Sequence, residues 1–200
     1  MPGARTASVV ARFLLYSVCM TTFIALLRAV NVGGTGMLPM TILSAMCCDL
    51  GFAKVRTYIQ SGNVVFQSKL TREKTQAALE RALAAHMGKK VDVMLRDLAE
   101  LKAVLKANPF PEGEPAKIIV GFSSAPVDKK LFKGLVGPGG EQVVAGREEI
   151  YIYYPDGMGR SKLKLPKSDS ASTARNLNTV GKLVAIAEEI AAAEKPPAKR

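Results

Sequence analysis

Apolar and polar positions between residues 21 and 96 alternate in a way that predicts four strands and two helices. The strand-like runs are short and rich in β-branched and aromatic residues, namely Thr22–Arg28, Lys54–Ile59, Asn63–Gln67 and Val91–Leu95. The helical spacing covers Pro39–Asp49 and Thr71–His86. This β-α-β-β-α-β order is typical of the ferredoxin-like split unit, whose strands lie in the spatial order 4-1-3-2.

The second and third strands of this unit are predicted to form a tight hairpin. Gln60, Ser61, Gly62 and Asn63 lie between them, and the glycine suits a turn position with positive φ. The rest of the first half is organised around this hairpin.

Residues 97–193 repeat the same order in a looser form. Asp97 is expected to cap a helix that ends near Lys106. The pattern then predicts a strand over Lys117–Phe122 and a short helix over Asp128–Lys133. A second hairpin follows, with strands Glu141–Ala145 and Glu149–Tyr154, and then two helical segments, Gly159–Leu165 and Thr179–Ala193. The pattern predicts an α+β fold of two ferredoxin-like halves, 21–96 and 97–193, with antiparallel sheets, packed helices and a degenerate second half.

The two chain ends differ from these halves. Residues 1–20 are predicted to be a disordered extension, and Met20 is a candidate start because the regular pattern begins directly after it. Residues 194–200 form a basic tail. No apolar run reaches the roughly 18 residues of a membrane span, so we expect no contact with a membrane.

Composition narrows the function classes. Hydrophobic residues make up 48% of the chain, which argues against general disorder. The net charge of +11 is spread along the sequence, so nucleic acid remains the weaker of two partner predictions. Cys19, Cys47 and Cys48 form no disulfide framework and no zinc motif. We therefore expect a cytoplasmic protein that holds neither a metal nor another cofactor.

The predicted topology brings two polar segments to one end of the first sheet. Strand one ends where the hairpin turn lies, and the first helix begins there. A helix start with glycines beside it favours an anion. The candidate ligand residues at this end are Arg28, Asn31, Gly33, Gly34, Gln60, Ser61, Gly62 and Asn63.

Two later motifs supply further candidates, namely Arg160, Ser161, Lys162, Arg175, Asn176, Asn178 and Thr179. The hypothesis is that both motifs face the polar end of the first half and close one cleft between the halves. Arg28, Lys162 and Arg175 would then neutralise a phosphate or carboxylate.

Catalytic machinery is not evident in the sequence, so enzyme activity stays open. Ser61 has no histidine to act as its base, although a pairing with Lys162 remains an alternative. Two function classes follow: a binding protein or enzyme for a small anionic ligand, or a nucleic-acid-binding module. The second class would use the basic surface, with Tyr151 and Tyr153 on one sheet face to stack bases.

Several motifs in order resemble the family called domain of unknown function 1697. They are Phe23–Gly34, Tyr58–Phe66, Asn108–Phe110, Tyr154–Leu163 and Thr173–Val180, and the resemblance extends over residues 21–193. It implies two ferredoxin-like halves in one chain, and the family has no assigned activity. Ala29 departs from the family pattern, which typically has glycine there, and Leu177 stands where tryptophan is common.

Overall fold

The computed structural model describes residues 20–33 and 36–193. Eight strands and four α-helices lie in these residues. The strands are β1 (Thr21–Leu27), β2 (Ala53–Tyr58), β3 (Asn63–Ser68), β4 (Val93–Asp97), β5 (Ile118–Ser123), β6 (Gln142–Ala145), β7 (Glu149–Tyr153) and β8 (Ser172–Asn176). The helices are α1 (Met40–Asp49), α2 (Arg72–Met87), α3 (Leu98–Lys106) and α4 (Leu177–Ala192). Residues 1–19 of the predicted extension 1–20, and the predicted tail 194–200, lie outside the described residues.

Helix limits follow from local capping chemistry. The Thr71 side chain accepts a hydrogen bond from the Lys74 N–H, and Gly88 ends α2 in the left-handed conformation. Asp97 and Glu100 form a reciprocal capping box at the start of α3. No helix in the described part of the chain is long and apolar enough to cross a bilayer.

Each half forms a four-stranded antiparallel sheet, which confirms the predicted fold. The first sheet has the order β2-β3-β1-β4 and the second has the order β6-β7-β5-β8. Both orders are the ferredoxin-like 4-1-3-2 arrangement. The end of β1 therefore lies beside the turn between β2 and β3, as Leu26 pairs with Asn63.

Both faces of β1 are apolar, so each face of the first sheet packs against a separate layer. Phe23, Ala25 and Leu27 face α1 and α2 in one core. Ile24 and Leu26 face the opposite side and join a second core with α3, α4 and residues of the second sheet. The helices α3 and α4 therefore lie between the two sheets.

The second half is degenerate where α1 and α2 would be expected. Short 3-10 turns, Lys129–Phe132 and Met158–Arg160, stand at these two positions in the chain order. The predicted helix over Gly159–Leu165 is wrong, because only the 3-10 turn forms and residues 161–170 have no regular structure. Strand β8 lies in a segment for which the sequence pattern predicted no strand.

Candidate functional site

A cavity of about 750 Å³ opens at the start of α1. It is lined by described residues of the segments 31–33 and 36–41, together with Gln60, and we call it the glycine-loop cavity. Pro39 stands at the helix N-cap and offers no side-chain hydrogen bond, and the first turn contains no acidic residue. The N–H groups of the first turn therefore have no side-chain cap.

Asn31 fastens the glycine-rich loop to the hairpin turn. Its side-chain amide donates to the Leu38 carbonyl at 2.9 Å and to the Gln60 carbonyl at 2.7 Å. Its side-chain oxygen accepts from the Leu38 N–H at 2.7 Å. One side chain thus joins the two segments that border the cavity. Asn31 and Ala29 both have positive φ, at 56° and 50°.

The hairpin turn packs tightly against the end of β1. A Cβ on Gly62 would lie 2.3 Å from a methyl group of Val30 and 2.9 Å from the Leu27 Cβ, and the residue has a φ of 74°. Glycine is therefore required at this position by both space and conformation. Asn63 is fully buried and donates to the Tyr58 carbonyl and to the Ser61 hydroxyl, each at 3.0 Å.

Arg175 reaches this turn from β8 in the second half. Its five guanidinium N–H groups reach six acceptors, three of which share the two hydrogens of Nη2. The acceptors are side-chain oxygens or backbone carbonyls of Asn63, Thr173, Ala174, Leu27, Ser61 and Gly62. No carboxylate is among these partners, and the residue is only 7% exposed. Burial lowers the pKa of Arg175 to about 10, so the group remains protonated at neutral pH.

Arg28 lies elsewhere, in a polar groove between the halves. Its guanidinium contacts the Asp92 carboxylate at 3.1 Å, and Asp92 also contacts Lys90 at 2.7 Å. These two cations lower the pKa of Asp92, Lys90 through its hydrogen bond first. The groove has a volume of about 510 Å³ and includes Ser124 and residues 168–171 of the second half.

Arg160, Ser161 and Lys162 border a third space, which we call the second-half cavity. It has a volume of about 310 Å³ and is lined only by residues of the second half. The predicted convergence of Arg28, Lys162 and Arg175 on one cleft is therefore wrong. Ser61 accepts a hydrogen bond from Asn63, and Lys162 lines the second-half cavity, so the structure does not pair Ser61 with Lys162.

The remaining candidates belong to the start of α4. The Asn176 side chain accepts a hydrogen bond from the Thr179 N–H at 2.9 Å, which makes Asn176 the helix cap. Asn178 is exposed in the first turn. Gly34 lies outside the described residues. Of the predicted set, the glycine-loop cavity contains Asn31, Gly33 and Gln60, while Ser61, Gly62, Asn63 and Arg175 hold the adjoining turn.

Of the two tyrosines that were expected to stack bases, Tyr151 is buried and Tyr153 is half-buried. Tyr151 is 2% exposed, and its hydroxyl donates to the Val104 carbonyl at 2.9 Å. The Tyr153 ring packs against Phe110 with a centroid distance of 5.8 Å. The prediction of an open stacking face at these residues is therefore wrong.

Sequence reasoning missed Glu141, Tyr154 and Thr173 as polar groups of these regions. Glu141 is 3% exposed and Tyr154 is 7% exposed, and both line the second-half cavity. Thr173 donates to the Leu27 carbonyl at 3.1 Å and accepts from Arg175. A glutamate directly after Gly137-Pro-Gly-Gly140 was the one available signal, because glycines allow backbone to close around a carboxylate.

Comparisons with known proteins agree with this architecture. The family model described as "Protein of unknown function (DUF1697)" matches residues 20–151. Among solved structures, the conserved bacterial protein SP0830 from Streptococcus pneumoniae is similar, with a TM-score of 0.69 and 25% sequence identity. The alignment covers 84% of this chain and 99% of that one. No curated protein matches the chain.

Proposed function

The chain belongs to the DUF1697 family, and we propose that it binds a small ligand with an anionic head group in the glycine-loop cavity. The observation that carries this proposal is the uncapped start of α1 at the cavity wall. The aligned peptide dipoles and free N–H groups of a helix start attract a phosphate or a carboxylate. No Asp or Glu is among the described lining residues, so nothing there repels such a group.

The lining also suggests the shape of the ligand. Val32 and Met37 supply apolar surface, since they are 54% and 86% exposed. Asn31 and Gln60 lie at the border with the hairpin turn. A ligand with an anionic head and a partly apolar body would match a lining that is polar on one side and apolar on the other. The volume of the cavity is within the ordinary range for ligand sites.

Backbone strain around the cavity supports the same location. Ala29 and Ile59 have φ values of 50° and 48°, which are unfavourable for residues with a Cβ and most of all for a β-branched one. Both residues flank the segments that border the cavity. Strained backbone is often retained at ligand sites because the fold overdetermines it.

A pair of variants at Thr41 tests the proposal. Thr41 is exposed in the first turn of α1 and lines the cavity. Thr41→Glu places a negative charge at the helix start, which favours the helix by about 0.3–1 kcal/mol but repels an anion. Thr41→Gln has nearly the same shape without the charge and is the matched control.

We expect a thermal-shift screen to identify a ligand that stabilises the wild type and Thr41→Gln but not Thr41→Glu. The probes are inorganic phosphate, pyrophosphate, a nucleoside triphosphate, a sugar phosphate, a medium-chain carboxylate and a short oligonucleotide, each at low and high salt. Equal shifts in both variants would contradict an anion at the helix start. A shift with the oligonucleotide alone, lost at high salt, would instead favour the nucleic-acid alternative.

A further inference from the structure

The second-half cavity brings together charged groups that the proposed function does not use. Its lining comes from three loop segments, 138–141, 154–157 and 160–162. No residue of the first half is among the described lining residues, so the cavity is separate from the glycine-loop cavity. Two acidic and two basic side chains line it, which makes its formal charge balanced.

Glu141 places a buried negative charge in the cavity wall. Its carboxylate accepts from the Gly139 N–H at 2.8 Å and from the Ser161 hydroxyl at 2.5 Å. The Ser161 hydroxyl, then backbone N–H groups, lower the pKa of Glu141 below its usual 4.5, so the group is ionised at neutral pH. No cation lies within ion-pair distance of it in the described residues. A buried carboxylate with only neutral donors retains attraction for a cation.

The Tyr154 hydroxyl is a donor without a partner among the described residues. The side chain is 93% buried, since only 7% is exposed. Burial, and then the charge of Glu141, raise the pKa of the Tyr154 phenol, and both residues line the cavity. The hydroxyl is not among the buried polar atoms that lack a partner, so it is open to the cavity that Tyr154 lines and is available to donate to a ligand.

The rim of the cavity carries both signs of charge. Arg160, Lys162 and Asp156 are exposed. Within the described part of the chain, none of these three side chains takes part in an ion pair with another residue. The rim is therefore free to engage a ligand that itself carries two opposite charges.

We propose that the second-half cavity binds a small zwitterion with the chemistry of a free α-amino acid. The ligand's ammonium group lies against the carboxylates of Glu141 and Asp156. Its carboxylate accepts from the Tyr154 hydroxyl and from the cations Arg160 and Lys162. The volume of about 310 Å³ is at the small end of ligand sites, which suits a single amino acid. This inference does not depend on the proposed anion site.

The test compares zwitterions with ligands that carry only one of the two charges. Isothermal titration calorimetry uses glycine, L-alanine, L-serine and L-glutamate as probes, with propylamine and propionate as single-charge controls. We expect at least one amino acid to bind at least tenfold more tightly than either single-charge compound. No binding by any amino acid up to about 10 mM, which corresponds to roughly −3 kcal/mol, would overturn the proposal. Equal binding of propylamine would also overturn it.

Variants at two neighbouring tyrosines locate the binding. Tyr154→Phe removes a hydroxyl that has no partner in the fold, so the protein should remain folded. We expect it to weaken amino-acid binding about tenfold, the effect of one hydrogen bond to a charged group. Tyr153→Phe is the control, because Tyr153 packs on Phe110 and does not line the cavity. Equal affinity in Tyr154→Phe and the wild type would overturn the assignment, and Thr41→Glu should leave this binding unchanged.

Discussion

Arg175 joins the two halves through hydrogen bonds rather than through an ion pair. Its guanidinium donates to three carbonyls at the end of β1 and in the hairpin turn, namely those of Leu27, Ser61 and Gly62. A planar guanidinium has five N–H donors in a fixed fork, which matches several acceptors around one buried point. At the residue scale, Arg175 thus fixes the turn that borders the glycine-loop cavity.

We expect Arg175→Met to lower the free energy of unfolding by about 3 kcal/mol, because it leaves several buried acceptors without a donor. Arg175→Lys should lower the free energy of unfolding less than Arg175→Met, because an ammonium keeps the charge and three donors. It should still be less stable than the wild type, because it lacks the planar fork. Urea denaturation followed by circular dichroism measures both values. The control is Arg28→Met, which removes an exposed pair with Asp92 and should cost at most about 1 kcal/mol. A loss below about 1 kcal/mol in Arg175→Met would contradict the role given to Arg175.

At the element scale, sequence patterns identified the first half well because its buried faces are apolar. The α-helices begin and end at capping residues, such as Thr71 and Asp97, that are readable in sequence. Strand β8 was missed because its buried positions, Thr173 and Arg175, are polar. The segment therefore lacks the alternation of apolar and polar residues that predicts a strand. The predicted helix over Gly159–Leu165 does not form, and the Ser161 hydroxyl there bonds to Glu141. Both errors concern long-range polar contacts, and so did the prediction of one shared cleft.

The stability of the folded protein should depend on the charge of Glu141, which lies in the loop directly before β6. The folded-state pKa of Glu141 lies below its ordinary value of 4.5, so the charge stabilises the fold above that value. The stabilisation is lost as pH falls through the folded pKa. Glu141→Gln should therefore melt at lower temperature than the wild type at neutral pH, also because its single amide oxygen cannot accept from both the Gly139 N–H and the Ser161 hydroxyl, as the two carboxylate oxygens do.

Melting temperatures recorded from about pH 7 to about pH 3 check this prediction. The difference between the wild type and Glu141→Gln should narrow as the pH falls below 4.5. The exposed Glu112 provides the matched control, Glu112→Gln, which should follow the wild type throughout. A difference in melting temperature that stays constant across this range would show that the charge of Glu141 contributes nothing.

At the scale of the whole molecule, the two sheets share a core. Helix α4 follows the last strand of the second half, yet it packs against β1, β2 and β3 of the first half as well as β5 and β8. Leu183 and Val180 of α4 are fully buried in the same cluster as Ile24 of β1 and Phe122 of β5. The division of the sequence at residue 97 remains a prediction about chain organisation. The apolar core that stabilises each half contains residues of both halves.

A joint core predicts one cooperative unfolding transition instead of two. Leu183→Ala removes a fully buried side chain and should cost about 2–5 kcal/mol. Native-state hydrogen exchange with mass spectrometry should show the same loss of protection in peptides from β1 and β3 as in peptides from β5 and β7. Leu131→Ala changes a side chain that is 48% exposed and should have little effect on either sheet. Loss of protection confined to the second sheet would mean that the halves unfold independently, and the contacts of α4 with β1 and β3 would then contribute little to stability.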